Sequence, residues 1–225
     1  MRKTVFAEQE YYHLYARGND KRVLFHTGKD RARFLFLLLH GQARLPIYNT
    51  KRFVDNFSHK QGFGFTKKAE NNIIENRDVE LIAFAIMPNH FHAIVGEVNK
   101  SGISNYMHRV LTGYAMYYNK RYEKSGHVFQ GPFGSTHITT NEQLIYTSAY
   151  VHLNPIEISA YRKNPISFPW SSYQDYIKEN RWGKLLLPDV LISQYKDVGD
   201  YRRTVLESGA KEELTRGSAS SINGR

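Results

Sequence analysis

Two apolar segments, VELIAFAI (79–86) and HFHAIVGEV (90–98), are separated only by Met-Pro-Asn. Each has the length of a strand and its share of β-branched and aromatic residues. A gap this short that holds proline and asparagine reverses the chain, so the two form an antiparallel hairpin. The rest of the chain must pack around that hairpin. Upstream, EYYHLYA (10–16) reads as a strand that ends before Gly18. RARFLFLLLH (31–40) reads as a helix with Asp30 as its cap. Downstream, Ile103, Met107, Val110, Leu111, Tyr114, Tyr117, Tyr118 and Tyr122 recur at helical spacing, giving a helix over 101–124 with Gly126 as its stop. HVFQGPFGSTHI (127–138) is extended and bent by glycines. Asn141 then caps a helix through EQLIYTSAYVHL that ends at Asn154-Pro155.

Strand, helix, strand, strand, helix, strand is the order of an α+β, ferredoxin-like βαββαβ sandwich with an antiparallel sheet. The helix before Pro155 is an addition to it. Residues 1–180 are expected to form one domain, with an insertion around 41–75. That stretch mixes Gly, Pro, Asn and Lys and reads as a loop with a short helix. A loop so long without structure is uncommon, so it is expected to carry structure or function. Residues 181–225 form a C-terminal extension, whose small, polar end RGSASSINGR is expected to be disordered.

A chain of 225 residues, 41% apolar and 14% aromatic, is globular and long enough for a sizeable core. It has no cysteine, which excludes disulfides and cysteine-ligated metal centres. The formal charge of +10 and pI of about 9.6 favour a polyanion as partner. Residues 1–80 hold 15 Lys/Arg against 9 Asp/Glu, and residues 100–135 hold five against one, so positive charge flanks the hairpin. No apolar run is long enough to cross a membrane, and the first residues lack the pattern of a signal peptide. A cytoplasmic protein is expected.

His90 and His92 lie two apart on a strand, so they share one face while Phe91 points to the other. Two imidazoles so placed can chelate one divalent metal. On its own such a pair is more often an ordinary surface or hydrogen-bonded one. Tyr150 and Asn154, four apart, share a helix face. A phenol can act as nucleophile and an amide oxygen as metal ligand. The plainer alternative is that Tyr150 packs in the core and Asn154 ends the helix.

AFAIMPNHFHAIV, GHVFQGPFGS, AYVHLNPIE and PWSSY, in that order, resemble the single-tyrosine HUH transposases, and most of all the REP-associated tyrosine transposase group. YYHLYARGNDKRVLF is similar to that family's opening strand. The resemblance covers roughly 10–40 and 78–176. It implies a metal-dependent single-stranded DNA endonuclease and strand transferase that acts on hairpin DNA, commonly as a homodimer. It implies His90, His92 and Asn154 as ligands of Mg²⁺ or Mn²⁺, and Tyr150 as nucleophile; Tyr114, Tyr117, Tyr118 and Tyr146 are not the nucleophile by this mapping. Arg17, Lys21, Arg22, Lys120 and Arg121 are candidate DNA contacts, with a solvated charged face as the equal alternative for each. His127 and His137 are structural or phosphate contacts, and His152, on another helix face, is structural. Two departures stand out. The 41–75 stretch is longer than the family's usual link, and Pro132 and Gly134 occupy places where basic residues are common. Two other readings compete: a non-catalytic nucleic-acid-binding regulator on the same fold, and a His-ligated hydrolase unrelated to DNA.

Overall fold

The computed structural model describes residues 4–46 and 48–210. The terminal stretch expected to be disordered lies outside the described residues. Four strands, β1 (Tyr11–Arg17), β2 (Val79–Ile86), β3 (His90–Glu97) and β4 (Gly134–Ile138), form one antiparallel sheet in the order β2-β3-β1-β4. That is the ferredoxin-like arrangement expected from the element order. The helices are α1 (Gly28–His40), α2 (Thr50–Asp55), α3 (Lys67–Glu75), α4 (Gly102–Tyr122), α5 (Asn141–Leu153), α6 (Tyr173–Ile177), α7 (Asp189–Ile192) and α8 (Val198–Glu207).

Strand alternation divides the core in two. Leu14, Phe91, Ala93 and Val95 face the layer of α1 and α4, where Phe91 packs on Phe34 with ring centroids 4.8 Å apart. Ile82, Ala85 and Ile94 face α5, α6 and α8. A bulge between Leu81 and Ala83 shifts the register of β2 against β3. The turn between these strands is closed by Met87 N–H donating to the His90 carbonyl at 2.9 Å.

Three helix boundaries differ from expectation, each for a local reason. α1 begins at Gly28 because Thr27 is its cap; Thr27 and Asp30 form a reciprocal capping box. Asp30 is therefore inside the helix, and its buried carboxylate also accepts from Tyr117 (2.8 Å) and Tyr122 (2.6 Å). α5 is capped by Thr140, whose side chain accepts from Gln143 N–H, and Asn141 is its first residue. α4 stops at Tyr122 because Glu123 takes a left-handed conformation (φ 50°), ahead of Gly126. The 41–75 stretch holds two short helices where one was expected. Phe53 of α2 and Phe57, Phe63 and Phe65 of the link after it pack against one another, Phe36, Trp170 and Trp182, which seals one edge of the core.

The PWSSY segment extends the sheet beyond β2. Ile86 N–H donates to the Trp170 carbonyl and Ser172 N–H to the Phe84 carbonyl, both at 2.9 Å. The Ser172 hydroxyl accepts from Phe84 N–H and lies 2.9 Å from His152 Nε2, which ties α5 to the sheet. On its other side His152 Nδ1 lies 2.7 Å from the Tyr201 hydroxyl of α8. His152 is thus structural: fully buried, with its pKa pushed down from 6.5 to about 3 by desolvation. Its folded pKa is below the unfolded one, so the stability it contributes is present above about pH 6.5 and is lost as pH falls towards 3. An NMR titration of the His152 ring should show no protonation above pH 5; a midpoint near 6.5 would contradict its burial.

Candidate active site

The sheet and α5 bring four of the expected residues together. His90 and His92 project from β3 on the face away from Phe91, and α5 lies across that face. The Tyr150 ring packs edge-on against His92, with centroids 5.2 Å apart, and against His13 at 5.9 Å. One helical turn on, the Asn154 side-chain oxygen lies 3.4 Å from His90 Nε2. Tyr150 is partly buried, and Asn154 is fully so.

Hydrogen bonds orient both acceptors of that contact. Asn89 donates through Nδ2 to the Lys21 carbonyl (3.2 Å), so its Oδ1 accepts from His90 Nδ1 at 2.7 Å. With the proton on Nδ1, His90 Nε2 presents a lone pair. Asn154 donates through Nδ2 to the Tyr150 carbonyl (3.0 Å), which turns its Oδ1 towards the same Nε2. Two acceptors held face to face are reconciled by a cation between them or by a second proton on His90. Ligands about 2.1 Å from a small divalent ion and at right angles around it lie about 3 Å apart, close to the separation here. The donor set therefore fits a divalent cation. Among the described residues no group of three or more His, Cys, Asp or Glu could hold a metal ion, so any site here rests on two imidazoles and an amide.

His13 is a further member that the sequence reading passed over. It is buried on β1, and its Nε2 lies 2.9 Å from His92 Nδ1, with the rings stacked at 5.0 Å. Burial lowers its pKa to about 4, so it is neutral at physiological pH. The signal was present in the alternation of β1. Tyr11, His13, Tyr15 and Arg17 share a face, and β1 pairs directly with β3, with Tyr15 opposite His92 and Arg17 opposite His90. Tyr15 is also new to the site. The residue is 41% exposed, and its ring lies 6.0 Å from that of His92.

Tyr150 has its pKa raised, first by desolvation and then by the negative charge of Glu157; Asn154 and Arg17 oppose the shift. The phenol is therefore protonated at neutral pH. The other tyrosines weighed as nucleophiles are engaged elsewhere. Tyr114 donates to the Leu24 carbonyl, Tyr117 to Asp30, Tyr118 to the Val23 carbonyl and Tyr146 to the Ala210 carbonyl.

The basic candidates divide between the two faces of the sheet. Arg17 stands at the end of β1 beside His90, and Lys21 is tied to the site through Asn89. Arg22 follows, its Nε donating to the Asn19 carbonyl. Lys120 and Arg121 lie on α4, which packs on the opposite face. His137 pairs with Glu10 at 3.1 Å and stacks on Tyr12, and His127 is exposed. Gly134 has a packing reason: the Tyr15 ring lies against it, and a Cβ there would collide with that ring. A basic side chain at 134 would displace Tyr15.

Comparison with known proteins agrees with this architecture. The IS200-like transposase family model matches residues 45–154. The solved structure of the REP-associated tyrosine transposase bound to a REP hairpin is similar in fold, with a TM-score of 0.51 and 11% sequence identity. The match covers 79% of this chain and 84% of that one. No curated protein matches the chain. Among the described residues no helix is long and apolar enough to cross a membrane.

Proposed function

We propose, from the match of residues 45–154 to the IS200-like transposase family, that the chain is a metal-dependent single-stranded DNA endonuclease and strand transferase with Tyr150 as its nucleophile. One observation carries this reading: the Tyr150 ring packs on His92 while Asn154, one turn along the same helix, faces His90. In this reading the Tyr150 oxygen attacks a backbone phosphorus and the bond from phosphorus to the 3′ oxygen breaks. The phenol loses its proton as the new bond forms, and the departing oxygen gains one. The products are a 5′-phosphotyrosine and a free 3′-hydroxyl. The bond energy is kept in the adduct, so a second 3′-hydroxyl can reverse the step and join strands.

His90, His92 and Asn154 would hold Mg²⁺ or Mn²⁺, and imidazole ligands favour Mn²⁺. Such an ion, when bound, supplies polarisation of the scissile phosphate and offsets charge on the leaving oxygen. Arg17, Lys21 and Arg22 would meet the backbone of the bound strand, and the exposed Tyr15 ring offers a stacking face for an unpaired base. A hairpin or palindromic repeat is the proposed substrate, and the cytoplasm the proposed location. All four groups at the site come from one chain, so the homodimer implied by the resemblance is not needed to complete it.

The test is an adduct map. The protein is incubated with single-stranded hairpin DNA and Mn²⁺, digested, and analysed by mass spectrometry. A nucleotide on Tyr150 supports the reading. A nucleotide on Tyr146 or any other tyrosine refutes the assignment of the nucleophile. No adduct with any hairpin favours the alternative, a non-catalytic nucleic-acid-binding regulator.

A further inference from the structure

Three stretches of the sequence, RGNDK (17–21), MPNH (87–90) and HVFQ (127–130), meet at the end of the sheet where His90 begins β3. The loop 18–22 lies between the other two. On one side Gly18 N–H donates to the Asn89 carbonyl at 2.8 Å, and Leu24 N–H to the Pro88 carbonyl at 2.9 Å. On the other, Asn19 N–H donates to the Val128 carbonyl at 3.0 Å, and Gln130 N–H to the Arg17 carbonyl at 2.8 Å. This loop is costly to form. Asp20 and Lys21 are consecutive left-handed residues, with φ of 52° and 57°. Aspartate visits that region fairly readily, lysine seldom. Gly18 is closely enclosed, and a Cβ there would lie 2.4 Å from the Arg22 carbonyl oxygen. Backbone strain of this kind gathers where a fold must hold a group in one place. The group held here is the Lys21 carbonyl, which accepts from Asn89 Nδ2 at 3.2 Å.

We propose that the Lys21 main-chain carbonyl selects the tautomer of His90, with Asn89 as the positioning residue between them. The proposal rests on the reading of His90 as a metal ligand. An amide side chain has one donor arm and one acceptor arm. A carbonyl can only accept, so it takes the Nδ2 arm of Asn89 and leaves Oδ1 for His90 Nδ1, at 2.7 Å. That acceptor keeps the ring proton on Nδ1, and Nε2 faces Asn154 Oδ1 at 3.4 Å with its lone pair. Turned over, the Asn89 amide would present N–H to Nδ1, and the ring proton would move to Nε2. Nε2–H would then donate to Asn154 Oδ1, and the two side chains would close on each other where the cation is proposed to sit. The choice between an open and a closed site is thus made by a main-chain group 68 residues earlier in the chain.

The test reads the ring nitrogen shifts of His90 by NMR, on full-length, metal-free protein with isotope-labelled histidine. These shifts report which nitrogen carries the proton. The wild type should show Nδ1–H. Asn89→Leu, which offers no acceptor, should move the proton to Nε2. Asn89→Asp, which can only accept, should keep it on Nδ1 without help from Lys21. Gly18→Ala leaves both side chains in place but forces the loop to shift, and should give a mixture of the two tautomers. If Gly18→Ala does not fold, the two Asn89 variants decide alone. Mn²⁺ affinity by calorimetry should fall about 10- to 100-fold in Asn89→Leu and stay near wild type in Asn89→Asp. The same tautomer in wild type and Asn89→Leu overturns the proposal, and an unchanged tautomer in folded Gly18→Ala overturns the part given to the loop. A tautomer that moves with no change in Mn²⁺ affinity upholds the selection and overturns His90 as a ligand. No DNA enters the test, so its result is separate from the fate of Tyr150.

Discussion

Tyr150→Phe should form no covalent adduct with hairpin DNA and should cut it at least about 10³-fold more slowly than the wild type, the order of loss when a nucleophile that works with its surrounding groups is removed. The substitution deletes one oxygen and leaves the ring, so the edge-on packing against His92 and His13 is kept. The hydroxyl is not needed to hold α5 in place. His152 does that, between Ser172 and Tyr201, and the bond from Asn154 to the Tyr150 main-chain carbonyl is kept in the variant. Melting temperature and affinity for uncut DNA should therefore stay close to wild type while cleavage disappears. Adduct formation that survives in this variant would mean that another group attacks.

The second large effect is expected at His13. A metal-ligating histidine is usually fixed by a hydrogen bond from its other ring nitrogen, and losing that bond typically costs 10- to 100-fold in metal affinity. If His92 is the ligand proposed above, that partner is His13. The latter is neutral because burial lowers its pKa to about 4, so its Nε2 can accept from His92 Nδ1–H. His13→Phe keeps a ring of similar size and removes the acceptor. Mn²⁺ affinity by calorimetry, with no DNA present, should fall by about 10- to 100-fold. Stability should fall by about 1–3 kcal/mol because a buried N–H loses its partner. His13→Gln, which restores an acceptor, should recover part of the affinity. Equal Mn²⁺ affinity in all three proteins would show that His13 does not orient His92.

The sheet was legible because its signals are local. The VELIAFAI and HFHAIVGEV runs and the Pro88-Asn89 break gave the β2–β3 hairpin, and alternation put Phe91 opposite His90 and His92. Tyr150 and Asn154 could be paired because four residues make about one helical turn. What was missed depends on pairings between distant segments. His13 meets His92 only once β1 is registered against β3, which a single strand does not reveal. The roles of Trp170, Ser171 and Ser172 depend on where that segment meets β2. The caps were misplaced by one to three positions because Thr27 and Thr140 compete with nearby Asp30 and Asn141, and only the geometry of the first turn decides between them. Lys120 and Arg121 were grouped with Arg17 by charge, although a sheet separates them.

β3 serves both layers at once, and this couples correct assembly to chemistry. Phe91 has one place to go, against Phe34, and the flanking imidazoles are delivered to the other side by the same alternation. A slip of one residue would drive His90 and His92 into the aromatic layer of α1 and α4 and expel Phe91, a wholesale inversion of polar and apolar groups. A misregistered molecule would thus be too unstable to persist as a nearly correct but inactive fold. The apolar residue between the two histidines acts as a proofreading mark: the core accepts the strand only in the register that also builds the site.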